Sequence, residues 1–191
     1  MPSHIVDVTI AHIRPRIWRR LRVPSGLELP LFHNMLQIAF GWQDRHLHEF
    51  RVGDECYGPF EEDDDTETLD ESELIVANAL PYNGSTMTYV YDLSDRWIHN
   101  VTVNHIEPTI PSRRNRRVRA ERYPQALACL AGRRAAPLED CGGPSGYAEL
   151  LDAMKSSDHP RRSELLEWAG GSFDPEAIDL DRINWGLASL V

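Results

Sequence analysis

The sequence predicts an α+β fold: a mixed or antiparallel sheet packed by one early helix and several C-terminal helices. Three observations lead there. Period-two alternation of apolar and polar residues dominates residues 1–110, helical periodicity dominates residues 126–191, and an arginine-rich connection, residues 111–125, lies between them. Strands first and helices last exclude the regular βαβ alternation of a doubly wound sheet. At 191 residues the chain fits a single domain, 1–191, long enough to bury a core without staples.

Residues 5–13 alternate, with Val6, Val8 and Ile10 on one face and Asp7 and Thr9 on the other, which predicts a half-buried strand. Arg14-Pro15 interrupts it, because proline lacks the ladder donor and restricts its neighbour. The pattern resumes with Ile17, Arg19, Leu21 and Val23 on one face and Arg16, Trp18, Arg20 and Arg22 on the other, a second strand of the same ribbon or hairpin. Pro30 to Phe40 reads as a helix: proline suits its first turn, Phe32, Met35, Leu36, Ala39 and Phe40 recur at helical spacing, and Gly41 stops it. Residues 46–52 and 55–58 read as short strands around Gly53-Asp54. The acidic run 61–71 reads as a solvated loop and 71–80 as a short helix. Residues 86–91 and 97–106 form a further hairpin, with Met87, Tyr89 and Tyr91 facing Trp97, His99, Val101 and Val103. Helical stripes follow: Tyr147, Leu150, Leu151 and Met154; then Leu165, Leu166, Trp168 and Ala169; then Leu180, Ile183, Leu187 and Leu190, with Asp174-Pro175-Glu176 as a helix start.

Composition narrows the function classes. No apolar run approaches the ~20 residues of a membrane-spanning helix, and the first residues lack a basic segment followed by an apolar one, so a cytoplasmic protein with no membrane partner is expected. Cys56, Cys129 and Cys141 are too few and too scattered for a disulfide framework, and Cys129 and Cys141 lack knuckle spacing for zinc. The net charge of −10 disfavours non-specific nucleic-acid binding. The positive charge is nearly all arginine and is clustered, so a protein or nucleic-acid partner could still bind locally, on Arg113, Arg114, Arg116 and Arg117 or on the stripe Arg16, Trp18, Arg20 and Arg22. The bland reading of that stripe, a tryptophan covered by arginine stems, fits its spacing at least as well.

Candidate chemistry concentrates in three segments. In the first, Trp42 to Phe50, which includes Asp44, the histidines His46 and His48 point to one face of the expected strand. Two histidines can chelate, but a metal site needs three or four ligands. His99, beside Trp97 on the second hairpin, is the candidate third, and Glu139, Asp140 or Cys141 the fourth; a divalent metal is the cofactor such a set would hold. The competing role is a hydrogen-bonded, half-buried histidine next to tryptophan. In the second segment, Asp95 either orients His99 for proton transfer or serves as a turn residue, and the turn composition of Leu93-Ser94-Asp95-Arg96 favours the latter. The third, Pro137 to Pro144, is a polar corner before a helix, with Gly142 and Gly143 allowing unusual backbone angles. It has neither Walker nor Rossmann spacing. Cys141 is a candidate nucleophile against the commoner role of a small buried residue.

These residues carry a resemblance. Ile17-Trp18-Arg19-Arg20 with Val23-Pro24, Phe40-Gly41-Trp42, His46-Leu47-His48-Glu49-Phe50, Tyr91-Asp92 with Asp95, Trp97 and His99, Pro137, Glu139-Asp140-Cys141-Gly142-Gly143, Gly146-Tyr147, Trp168, Phe173-Asp174-Pro175 and Asn184 resemble the plasmid pRiA4b ORF-3-like family over most of the chain. Leu93-Ser94 depart from its usual aromatic-glycine turn, and Leu138 from its usual second proline. The resemblance implies that the three segments meet around one pocket, and that relatives occur on plasmids, in chromosomes and as passengers of insertion sequences. It implies no reaction, and no serine- or tyrosine-recombinase constellation is present. Two function classes follow: a non-enzymatic binding or accessory protein associated with plasmids or mobile elements, and a metal-dependent hydrolase with His46, His48 and His99 as ligands and Glu139 or Asp140 as base or ligand.

Overall fold

A computed structural model describes residues 2–59, 68–108 and 127–190. Strand β1 (Ser3–Ile10) pairs antiparallel with β2 (Trp18–Pro24), and α1 (Leu29–Phe40) follows. Next come β3 (His48–Val52), β4 (Glu55–Gly58), the two-residue β5 (Leu69–Asp70), a 3-10 turn at Glu71–Glu73 and α2 (Val76–Ala79). The second long hairpin is β6 (Thr86–Tyr91) and β7 (Trp97–Glu107), and β8 (Ala128–Arg133) leads to α3 (Gly143–Lys155), α4 (Arg162–Trp168) and α5 (Leu180–Leu187). The described strands form one mixed sheet in the order β5-β4-β3-β6-β7-β1-β2-β8, antiparallel except at β4–β5, so the α+β expectation holds.

One face of this sheet is the core. Val6, Val8, Ile10, Leu21, Val23, Met87, Tyr89, Tyr91, Trp97, Val101 and Val103 are buried there, and α1 lays Phe32, Met35, Leu36, Ala39 and Phe40 on them. Proline in its first turn and Gly41 at φ 79 bound α1 as its sequence predicts. Leu187 of α5 closes the same cluster. Arg19 also points inward: its Nε donates to the Ala39 carbonyl at 2.8 Å, and its guanidinium lies 5.0 Å from the Phe40 ring centroid. Burial lowers its pKa to about 10, yet it stays charged, held by the Ala39 carbonyl at the negative end of α1 and by the Trp18 and Arg133 carbonyls.

Three elements depart from expectation. Residues 128–133 form an edge strand where helical sequence was expected. Its small residues carry no clear alternation, and what makes it a strand is external: β2 pairs with one side, while the Asn184 side chain receives the Cys129 N–H at 2.8 Å and donates to the Cys129 carbonyl at 3.0 Å. The last helix begins after Asp179, whose carboxylate accepts from Arg182 N, and not at Asp174. Strand β3 begins at His48, so His46 lies in the preceding loop.

Candidate functional site

Three loops meet at one end of the inner sheet face: residues 41–47, 92–96 and 137–143. Asp92 builds the second. Its Oδ1 accepts from Ser94 N at 3.0 Å and Asp95 N at 3.1 Å, an Asx turn that its φ of 56° serves. Asp95 in turn clamps the third loop, its Oδ2 accepting from Gly142 N at 3.0 Å. The approach is close enough that a Cβ on Gly143 would sit 2.7 Å from the Asp95 carbonyl oxygen, and Gly143 has a φ of 68°. Asp95 is therefore a turn and docking residue and does not orient His99. Trp42 ties the first loop to the third through Nε1, which donates to the Pro137 carbonyl at 3.0 Å, and stacks on Tyr91 with centroids 4.8 Å apart.

At this junction lies His46. Its Nε2 is 2.9 Å from Asp140 Oδ1, 3.5 Å from Glu139 Oε2 and 3.7 Å from Asp92 Oδ2, yet among the described residues it makes no hydrogen bond of acceptable direction, and it is shielded from solvent. Glu139 is held in place by Gln43 N at 2.7 Å and by the Tyr91 hydroxyl, which donates at 3.0 Å. Desolvation first, and the Glu139 carboxylate in addition, push the Tyr91 phenol up to about 12, so it remains a donor. Burial and the neighbouring Asp95, Asp140 and Asp92 carboxylates likewise push the Cys141 thiol up to about 12, which disfavours the thiolate that a nucleophile needs.

His48 belongs to a different group. Its Nε2 lies 2.9 Å from Glu71 Oε2, both side chains being buried, and its ring stacks on His33 with centroids 3.6 Å apart and planes 9° from parallel. His33 is pushed down to about 4 by burial and then by His48, and sits between the Tyr89 hydroxyl at Nδ1, 2.8 Å, and Asp44 at Nε2, 3.0 Å. Gln37 donates to the same hydroxyl and accepts from Asp44 N. His33, Asp44 and His48 place ligand atoms within 4.8 Å of one another. A metal ion lies in the plane of an imidazole that ligates it, however, and two stacked parallel planes share no such point. As placed, this group is a hydrogen-bonded brace for the 41–47 loop.

His99 is wholly buried against Phe40 and Trp42, its Nδ1 donating to the Tyr89 carbonyl at 3.3 Å. Burial holds it down at about 4. The expected ligand trio is thus divided: His46 faces the carboxylates, His48 pairs with Glu71, and His99 is core. The cause is the first loop. Asp44 at φ 54 and the Arg45 N–H bonded to the Tyr91 hydroxyl turn the chain before β3, so the two histidines do not share a strand face. Trp97 is buried beneath this end of the sheet. Asp92, Tyr91, His33, Gln37 and Glu71 were not singled out from sequence as site residues. Tyr91-Asp92 had a signal as a family marker, whereas Glu71 and His33 become neighbours only through the fold.

A cavity of about 460 Å³ opens beside the cluster, bordered by Gln43, Arg45, Leu138, Glu139, Asp140 and Trp168. On the opposite face of the sheet, Arg20 pairs with Asp7 at 2.6 Å and Arg22 with Glu107 at 3.1 Å, so half of the Arg16, Trp18, Arg20, Arg22 stripe is neutralised within the molecule. Arg113, Arg114, Arg116 and Arg117 lie outside the described residues. Among the described residues no helix is long and apolar enough to cross a membrane.

Comparison with known proteins agrees along nearly the whole chain. The uncharacterized protein y4hQ of Sinorhizobium fredii is 31% identical over 187 residues, which cover 97% of this chain and 90% of that protein. The crystal structure of a protein of unknown function from Methanosarcina mazei Go1 superposes with a TM-score of 0.78 at 28% identity, covering 94% of this chain and 96% of that one. The sequence model of the plasmid pRiA4b ORF-3-like proteins matches residues 3–182. With that span matched, and the markers at all three loops in place, the chain belongs to the plasmid pRiA4b ORF-3-like protein family.

Proposed function

We infer that the protein binds a divalent cation at His46, Asp92 and Asp140, with Glu139 alongside, and that it acts as a binding protein centred on that ion. One observation carries this reading: a shielded imidazole nitrogen that makes no hydrogen bond among the described residues and faces three carboxylates from two other loops at 2.9–3.7 Å. Donor atoms around an ion with bonds of about 2.1 Å lie roughly 3.0–3.5 Å apart, and the distances from the imidazole nitrogen to the three carboxylates, 2.9, 3.5 and 3.7 Å, bracket that range. Three carboxylates so close repel one another, and a cation among them relieves that repulsion. The mixed nitrogen and oxygen donors suit Zn²⁺ or Mn²⁺ better than Ca²⁺. The family takes its description from a plasmid reading frame, which supports a plasmid-associated accessory role for such a binding protein.

The open cavity supports a second reading, a metal-dependent hydrolase. Three or four protein ligands leave a coordination position for water, whose pKa a bound metal lowers to about 7. Glu139 would then take the proton of the attacking water.

Titration of chelator-treated full chain with Mn²⁺ or Zn²⁺, followed by calorimetry, tests the site. One ion per chain is expected. His46→Ala or Asp92→Asn should weaken binding about 10–100-fold or more, and His48→Gln should leave the stoichiometry intact. An ion bound equally well by His46→Ala, or no ion bound below millimolar concentration, overturns the reading. Turnover of p-nitrophenyl esters or phosphates that is lost with the metal favours the hydrolase, and binding without turnover favours the binding protein.

A further inference from the structure

The cavity beside His46 has the size of a small-molecule site, about 460 Å³ against a usual range of roughly 300–1,000 Å³. Its lining combines two chemistries. Pro137, Leu138 and Trp168 give it apolar wall, and Trp168, 46% exposed at the end of α4, presents a flat ring that the core does not use. Gln43, Arg45, Glu139 and Asp140 give it polar wall. The charges are not matched within that wall. Arg45 is exposed and, among the described residues, pairs with no carboxylate although two line the same cavity; its guanidinium donates to the Gln43 side chain. Glu139 already accepts from Tyr91 and Gln43 N, and both it and Asp140 face His46. A guanidinium with no carboxylate partner, lining the same cavity as an exposed indole, offers the donors and the apolar surface that an oxyanion on a flat apolar body needs.

We propose that this cavity binds a small organic oxyanion, a carboxylate or phosphate monoester on a flat apolar body, with the oxyanion on Arg45 and the body against Trp168. The inference rests on the cation reading for one contact only: an ion at His46 would face the same oxyanion from the other side. Carboxylate and phosphate share the chemistry that Arg45 recognises, and the choice of head group is read from the experiment.

The test is calorimetric titration of the full chain with phenyl phosphate, benzoate, inorganic phosphate and benzyl alcohol, each with saturating Mn²⁺ and with chelator. At least one of phenyl phosphate and benzoate is expected to bind, and benzyl alcohol is not. Arg45→Gln should weaken that binding roughly tenfold or more. Trp168→Ala should weaken the aromatic oxyanion and leave inorganic phosphate unchanged. Both substitutions fall on exposed side chains, and thermal melts confirm that each variant folds. Benzyl alcohol binding as well as phenyl phosphate, Arg45→Gln without effect, or no binding of either aromatic oxyanion under both conditions overturns the proposal. The Mn²⁺ arm separates the two readings. Arg45-dependent binding that persists in chelator sustains the cavity even if no Mn²⁺ binds, and Mn²⁺ binding without any probe binding sustains the ion and removes the cavity.

Discussion

At the residue scale the site depends on aspartates in an unusual backbone conformation. Asp44, Asp92 and Asp140 have φ of 54°, 56° and 59°, one in each of the three loops. Left-handed backbone costs an ordinary residue roughly 1–2 kcal/mol, less for aspartate, whose side chain can bond locally. Here the conformation turns Asp44 toward His33 and Asp92 and Asp140 toward His46. Trp42 holds the assembly by ring stacking and one hydrogen bond. Trp42→Ala is expected to destabilise by about 3–5 kcal/mol, and Trp42→Phe, which keeps a ring but strands the Pro137 carbonyl, by about 1–3 kcal/mol. Urea denaturation distinguishes them; a Phe variant as unstable as the Ala variant would shift the main role from ring to hydrogen bond.

At the element scale the notable device is the closure of the sheet edge. Strand β8 would present an unpaired edge, and the Asn184 amide occupies it as a neighbouring strand would, bonding both the N–H and the carbonyl of Cys129. Gly132 lets the strand lie close, since a Cβ there would meet Ile178, Arg19 and the Trp18 carbonyl at under 3 Å. Asn184→Ala leaves two backbone groups without these partners and is expected to cost about 1–3 kcal/mol. Faster hydrogen exchange at the Cys129 amide, with β6–β7 amides unchanged, is the accompanying signature; unchanged exchange at Cys129 would contradict the capping role. The early helix, by contrast, was readable because its own residues carry the apolar stripe and both end signals.

For the whole molecule the core imposes a pH dependence. His4, His33 and His99 all have pKa values lowered, burial being the first cause for each, the last two to about 4 from the usual 6.5. Between those limits the unfolded chain binds more protons than the folded one, so stability falls as pH drops below about 6.5 and levels off below the folded values. His99, wholly buried, contributes on the order of 3 kcal/mol to that fall. Asp7 acts lower down: the Arg20 hydrogen bond depresses its pKa below 3.8, so its contribution is present above that value and is lost as pH falls through the folded one. Urea midpoints from pH 8 to 3 should therefore decline first between 6.5 and 4. His99→Gln should flatten that stretch, and a wild-type profile without slope there would contradict neutral buried imidazoles.

The sequence by itself determined the α+β class, the paired hairpins, the α1 helix with its ends, the family and the three loops where polar residues gather. These are local or near-local properties: periodicity, proline and glycine punctuation, and marker residues in order. Only the tertiary structure decided how the histidines are used. Strand β3 begins two residues later than the alternation predicts, which leaves His46 in a loop where the pleat no longer sets its facing. Glu71 meets His48 across 23 positions and Glu139 meets Tyr91 across 48, separations that no spacing rule reaches. Residues 128–133 became a strand because β2 and Asn184 supplied its hydrogen bonds, a condition set by neighbours in space and not by the segment's own composition.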